Sequence, residues 1–400
     1  MLKEIDKYCI YESMTIIGGP TTWHVMDWDR RRVISLVTPT DCQGDPDIPG
    51  KYFERHINSL PLDSYKIYVS ETGDLLQVST DPKHNAWISI IRPEVEDLQL
   101  QKPLSIETVK RTELCEISRL GRGLDLVSYG TREERRVVFK YVLILQGSDR
   151  FWTELNVWIR LSHHPNIVPI DKIVLDEIYG RIVGFTTPYI PGGSLEDNPS
   201  RGFKLKWLKQ LIQVVDDLNL KHGIVHDNIM ARHLLIDPEM DDLLLINFNL
   251  ARRIAGPVRF SFDISGQEMA LVILTVYSII TGDKSFQHTH DAEKISNAAT
   301  VTELEEWVPA PGMALDHPVS VYRSVLEEWT RRRRAIHTEA RECIDWPKLP
   351  YKPPVWKRDE SGASYAVGGT YDRSRFQERE TARPVIDWER PPESALLDEI

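Results

Sequence analysis

The spacing of apolar residues changes character along the chain. Over residues 1–110 they fall in short runs broken by turn residues, as strands require. Residues 65–70 and 75–79 flank Glu71-Thr-Gly-Asp74, which predicts a hairpin. Residues 86–91 are a candidate third strand. Over residues 111–188 the pattern predicts strands and one helix. Residues 136–144 read as a strand, and residues 151–161 set Trp152, Leu155, Trp158 and Ile159 on a helical stripe.

Residues 189–345 read as mostly helical. Residues 203–222 place Leu205, Leu208, Leu211, Ile212, Val215 and Leu218 on one face, and Gly223 supplies the stop. Residues 268–280 are apolar nearly all round, as a central core helix should be. Residues 321–336 end in four arginines, Arg331 to Arg334, favourable against the helix dipole. That run is either a solvated helix end or a site for phosphate or an acidic partner. Residues 346–400 mix Pro, Trp, Gly and charge without a period. They are expected to form an irregular, extended or partly disordered tail, part of it packed on the body. The expectation is an α+β protein with four zones, 1–110, 111–188, 189–345 and 346–400.

Composition narrows the class. The 400 residues are 41% hydrophobic and carry a formal net charge of −11, which argues against a broad nucleic-acid or anionic-membrane surface. Cys9, Cys42, Cys115 and Cys343 are scattered, so neither a disulfide framework nor a structural zinc site is expected, and a reducing compartment fits. The first residues lack the apolar run of a secretory leader, and residues 269–280 are too short a run to span a bilayer. The expectation is a cytoplasmic protein, with the nucleus open.

A β-rich zone followed by a helical one suggests two lobes with a cleft. Leu120-Gly-Arg-Gly-Leu-Asp-Leu-Val127 has two glycines that would let backbone approach phosphate, although Gly-x-Gly turns are common. Lys140 stands in the apolar strand Val137-Val-Phe-Lys140, where burial asks for an anion or carboxylate, and Glu154 follows on the predicted helix. A snorkelling strand lysine is the plain alternative. Then come His163-His-Pro-Asn-Ile-Val-Pro-Ile170, Gly184-Phe-Thr-Thr-Pro-Tyr-Ile-Pro-Gly-Gly-Ser-Leu195, Gly223-Ile-Val-His-Asp-Asn-Ile-Met-Ala-Arg-His-Leu-Leu-Ile-Asp237 and Leu243-Leu-Leu-Ile-Asn-Phe-Asn249.

In this order the blocks resemble a eukaryotic protein kinase, in detail the Ser/Thr kinase-like proteins common in filamentous fungi. The resemblance covers about residues 113–345 and implies a bilobal kinase-like fold with a β-rich N-terminal extension. It implies ATP as the ligand to test first. Gly121 and Gly123 resemble the first two glycines of the kinase Gly-rich loop, with Leu126 at the third. Lys140 matches the phosphate-contacting lysine and Glu154 its helix partner. Thr187 resembles the residue at the back of the nucleotide pocket. Pro188, Tyr189 and Ile190 fall on the adenine-facing hinge, where Pro188 lacks a donor.

The catalytic loop departs from the family pattern. His226 is kept, but Asn228 stands where the catalytic aspartate is expected, His233 where the metal-binding asparagine is, and Asn247 where the metal-binding aspartate is. An amide cannot take a proton at neutral pH, and general-base help is typically worth ~10²–10⁴-fold. A neutral amide and an imidazole are poor ligands for magnesium, a hard cation. Asp227 would serve as base only through a one-residue slip that puts Ile229 and Leu234 on the wrong faces. Asp241 and Asp242 precede a strand and read as a solvated turn. Residues 250–268 contain no Ala-Pro-Glu block, and Glu268 resembles the aspartate that opens the central helix and braces the loop. The leading expectation is a pseudokinase acting as a scaffold or allosteric partner of another protein. The alternatives are an active atypical Ser/Thr kinase, and a protein-interaction module with a vestigial cleft.

Overall fold

The computed structural model describes residues 2–16, 19–40, 42, 45, 47–84, 92–100, 106–130, 135–144, 147–254, 264–286, 291–336, 340, 342–350, 355–358, 364–367 and 384–397. The fold is mixed α+β, in two compact units. A sheet unit gathers Met1–Asp149, Asp171–Thr187 and Lys348–Ile400. A helical unit gathers Arg150–Ile170 and Pro188–Pro347.

The sheet unit holds two large sheets. After the short α1(Glu4–Lys7), one sheet runs in chain order through β1(Tyr8–Thr15), β2(Thr21–Asp27), β3(Arg32–Thr38), β4(Lys66–Val69) and β5(Leu75–Ser79). β3 and β4 are parallel, and α2(Asp47–His56) lies in the crossover that such a pair needs. The hairpin predicted around Glu71 to Asp74 forms as β4–β5, with Gly73 at φ 80° in its turn. Residues 86–91 lie outside the described residues. Every position of β3 is buried. Ile34 and Leu36 pack with Trp23, Val25 and Phe53 of α2, while Met26 and Val33 join the core of the second sheet. A sheet covered on both faces keeps a continuous apolar run.

The second sheet has the spatial order β6(Glu107–Lys110), β10(Lys172–Leu175), β11(Ile182–Pro188), β9(Arg136–Tyr141), β8(Leu124–Tyr129), β7(Leu114–Gly121). Val137, Phe139 and Tyr141 of β9 point into a core shared with Val127, Trp28, Val174 and Val183. Strand alternation puts Val138 and Lys140 on the opposite face, with their partners Leu126 and Leu124. The tail expected to be irregular carries an antiparallel pair, β16(Val355–Arg358) and β17(Ser364–Val367). Further on, Ile386 and Trp388 enter the shared core ahead of α8(Glu393–Leu397).

In the helical unit, the predicted stripe of α3(Ser148–Arg160) is buried: Trp152, Leu155, Trp158 and Ile159. Asn166 ties the loop after α3 to β14(Leu243–Leu245), donating to the Leu243 carbonyl at 2.9 Å and accepting from Leu245 N at 2.8 Å. α4(Leu205–Asp216) buries its predicted face and continues as a π turn, Asp217–Lys221, up to Gly223 at φ 66°. α5(Ile264–Thr281) is the central helix, with Met269, Val272, Val276 and Ile280 buried. α6(Asp291–Glu303) and α7(Val319–Arg334) complete the unit. The arginine run at the end of α7 divides. Arg331, Arg332 and Arg334 are exposed, whereas Arg333 is buried and paired with Asp216 at 2.7 Å. Among the described residues, no helix is long and apolar enough to cross a membrane.

Candidate functional site

Two small strand pairs of the helical unit carry the candidate loops. β12(Ile224–Val225) pairs with β15(Arg252–Arg253), and β13(Leu234–Ile236) pairs with β14. Residues 226–233 and 246–251 are the segments that leave these strands, so the pairing brings His226, Asn228, His233 and Asn247 together. Beneath them lies Glu268 of α5, fully buried. It accepts from the backbone N–H groups of His226 and Asp227 (2.9 Å for the latter) and from Asn219 Nδ2 at 2.5 Å. Burial pushes its carboxyl up to about 7, against the lowering effect of these three donors. The π turn is what aims Asn219 inward, and such turns recur at functional sites. Asn219 Oδ1 in turn accepts from Arg333 at 2.8 Å, so the buried arginine braces the loop through Asn219 and Glu268.

His226 donates from Nε2 to the Ile246 carbonyl (2.9 Å) and accepts at Nδ1 from Asn228 N (3.2 Å). Its ring stands edge-on to buried Phe248, 4.8 Å between centroids. His233 Nδ1 faces the Asn228 carbonyl at 2.7 Å and therefore carries the proton. Nε2 is then the acceptor, and Asn247 Nδ2 donates to it at 2.9 Å. Asn228 Nδ2 donates to Asn249 Oδ1 at 3.3 Å. His233 thus links the Asn228 backbone carbonyl to the Asn247 side-chain amide, with the Arg232 Nε–H also directed at its Nε2 at 3.4 Å. Asn247 sits at φ 72° and Asp227 at φ 57°, left-handed conformations that Asn and Asp tolerate better than other side-chain-bearing residues.

Magnesium prefers ionised oxygen. Here the Nε2 lone pair of His233 is already engaged by Asn247 and by the Arg232 guanidinium, and Asn228 directs its nitrogen at Asn249. These residues do not fit a magnesium site. Asp227, the one carboxylate in the loop, is tied to Arg252 at 2.6 Å and faces Lys294 of α6 at 3.8 Å. Its carboxylate is thus already engaged in ion pairs. Asp241 and Asp242 lie in the turn between β13 and β14. Asp241 pairs with Lys204 at 2.9 Å and Asp242 with Lys206 at 2.8 Å.

The remaining candidates divide between the units. Gly121, Gly123, Lys140 and Thr187 belong to the sheet unit, whereas Glu154, Tyr189 and Ile190 belong to the helical unit. Gly121 and Gly123 flank a tight turn between β7 and β8. Tyr141 N donates to the Gly123 carbonyl at 2.9 Å, and a Cβ at Gly123 would lie 2.5 Å from the Tyr141 carbonyl oxygen and 3.5 Å from the Trp28 ring. Arg122, at the tip, donates to the carbonyls of Ile5 (2.7 Å) and Tyr8 (3.3 Å). Lys140 is partly buried on β9, beside Leu124, and Thr187 is buried at the end of β11. Glu154 is buried within α3. Tyr189 and Ile190 are half-buried in the stretch before the Gly192-Gly193 turn.

No local pattern flags Arg252 or Lys294 as partners of Asp227. Arg252 follows the Asn-Phe-Asn block on a two-residue strand, and Lys294 comes from a helix far along the chain. Only the alternation of β12 and β15 points to Arg252, and that signal is two residues long. Comparison of the chain with protein-family models and with curated proteins returned no match.

Proposed function

We propose that this chain is a protein-kinase-like protein that does not transfer phosphate, a pseudokinase serving as a scaffold or allosteric partner of another protein. The observation that carries the reading is the linked trio Asn228, His233 and Asn247, none of them a carboxylate, in the positions where the resemblance puts a base and metal-binding groups. The order of elements supports it. A Gly-x-Gly hairpin (β7–β8) is followed by a third strand with Lys140 and then by a helix with a buried glutamate, the succession that protein kinases use. The active-kinase alternative needs an ionised base, and Asp227 is engaged by Arg252 and Lys294.

Phosphate transfer from radiolabelled ATP tests the reading. The unmodified protein should show none, in comparison with an Asn228→Asp/Asn247→Asp double variant. Transfer by the unmodified protein that disappears in Lys140→Met overturns it.

A second reading, an interaction module that takes no nucleotide, is favoured by the Gly121–Gly123 turn, whose Gly123 packs on Tyr141 and Trp28 and whose Arg122 is held by chain carbonyls. Thermal melting with ATP, with and without magnesium, separates the two. A magnesium-independent rise that Lys140→Met removes supports a nucleotide-holding pseudokinase, and no shift under any condition supports the module.

A further inference from the structure

Residues 384–392 of the sheet unit form neither strand nor helix, yet they are read by side chains at alternate positions. Ile386 and Trp388 are buried and Arg390 largely so, while Asp387, Glu389 and Pro391 face solvent. Trp388 stacks on Tyr141 at 5.6 Å, with the guanidinium groups of Arg111 and Arg31 at 4.8 and 5.6 Å from its ring. Arg390 donates to Glu116 (2.7 Å), to Asp125 (2.8 Å) and to the carbonyls of Asp29 (3.0 Å) and Trp28 (3.1 Å). Glu393 accepts from the backbone N–H groups of Leu2 (2.8 Å) and Arg119 (3.0 Å). One-sided reading of an extended segment is how peptide ligands are recognised.

The groove has a second property that a ligand site needs. Its own charges remain paired without the segment: Asp125 bonds Arg31, Asp29 bonds Arg119, and Glu116 bonds Arg119 at 2.7 Å. Arg31 and Arg119, with Arg30 at 4.0 Å from Asp29, face these three carboxylates, and the segment adds one cation, Arg390, and one buried carboxylate, Glu393. On departure of the segment each of the three groove carboxylates keeps one arginine partner, and Asp125 and Glu116 lose the contribution of Arg390.

We propose that residues 386–393 are a built-in peptide ligand, and that the groove formed by Trp28 to Arg31, β7, β8 and Tyr141 is a recognition site for an extended Ile-x-Trp-x-Arg-x-x-Glu segment, filled reversibly by this chain's own tail. The ion pairs of Arg390 and the stacked indole of Trp388 set its specificity.

The test uses the full chain with a specific protease site inserted between Thr381 and Ala382, cut after folding, with the uncut protein as control. A second insertion between Gly369 and Thr370 guards against a local defect. After cutting, the C-terminal fragment should co-elute with the body, and excess labelled peptide covering residues 384–397 should replace it. Peptides carrying Arg390→Ala or Trp388→Ala should compete at least a hundredfold more weakly. The proposal is overturned if the fragment cannot be displaced under native conditions, if it falls away with no change in melting temperature, or if the altered peptides compete equally.

Discussion

The two units bury polar groups in opposite ways. Between its two sheets, the sheet unit buries full charges, with Arg31, Arg119 and Arg390 set against Asp29, Glu116 and Asp125. At its candidate loops the helical unit buries neutral groups, with His233 bonded to Asn247 and to the Asn228 carbonyl. Ions survive burial when each has partners on several sides, and their reward is a defined geometry. Neutral amides and imidazoles also hold geometry, at a smaller desolvation cost, but they attract no dication. In the sheet unit the buried ions hold strands and tail together, whereas at the candidate loops the charges, Asp227 with Arg252 and Lys294, flank a centre where His233 bonds only to neutral Asn groups and to Arg232.

The contrast can be broken most forcefully at Arg390. Arg390→Ala leaves Asp125 and Glu116 short of a partner, and urea unfolding should show the sheet unit weakened by about 3–5 kcal/mol. A loss under about 1 kcal/mol would mean that the charges are spectators. Glu268 comes next. Burial raises its carboxyl from 4.5 to about 7, so the protonated form is favoured by folding. Its contribution is complete below pH 4.5 and is lost as pH rises to about 7, on the order of 3 kcal/mol over that window. Glu268→Gln should flatten this slope in melting curves taken across the range. His24, buried between strands of the first sheet, is lowered from 6.5 to about 4 by burial and by Lys66. Its sign is the reverse: stability is present above pH 6.5 and lost as pH falls to about 4, by a comparable amount. His24→Asn should remove that acid loss, so probes placed in the two units should respond to pH in opposite senses. The smallest effect is expected at Asn247. Asn247→Ala removes a neutral hydrogen bond and places alanine at a left-handed φ, and chemical denaturation should register about 1–2 kcal/mol. A loss as large as that for Arg390→Ala would erase the distinction between the two networks.

Much of this was legible in residue spacing, and the exceptions have physical causes. The α3 stripe, the α4 face, the apolar α5 and the β4–β5 hairpin all follow from local periodicity. α2 escapes it because Pro49 and Gly50 lower helix propensity, although a proline in the first turn has no intrahelical bond to lose. The parallel pairs β3–β4 and β6–β10 depend on long connections that leave no local mark. At the candidate site, Asn228, His233 and Asn247 were singled out by the kinase resemblance, and the strand pairing brings them together. Their mutual bonding could not be read, because it follows from left-handed backbone at Asn247 and from the Glu268 brace. Trp388 and Arg390 were the least legible: their partners lie hundreds of residues away, and a tail without periodicity gives no face to read.

The His233 imidazole has a spectroscopic consequence. A buried ring N–H held at 2.7 Å from a backbone carbonyl exchanges slowly with water. It should give a sharp, far-downfield proton resonance, clear of the amide envelope. That line would report on the candidate loops in the unaltered protein, without a label. Anything that enters among these side chains and takes the Nε2 lone pair from Asn247 would shift it.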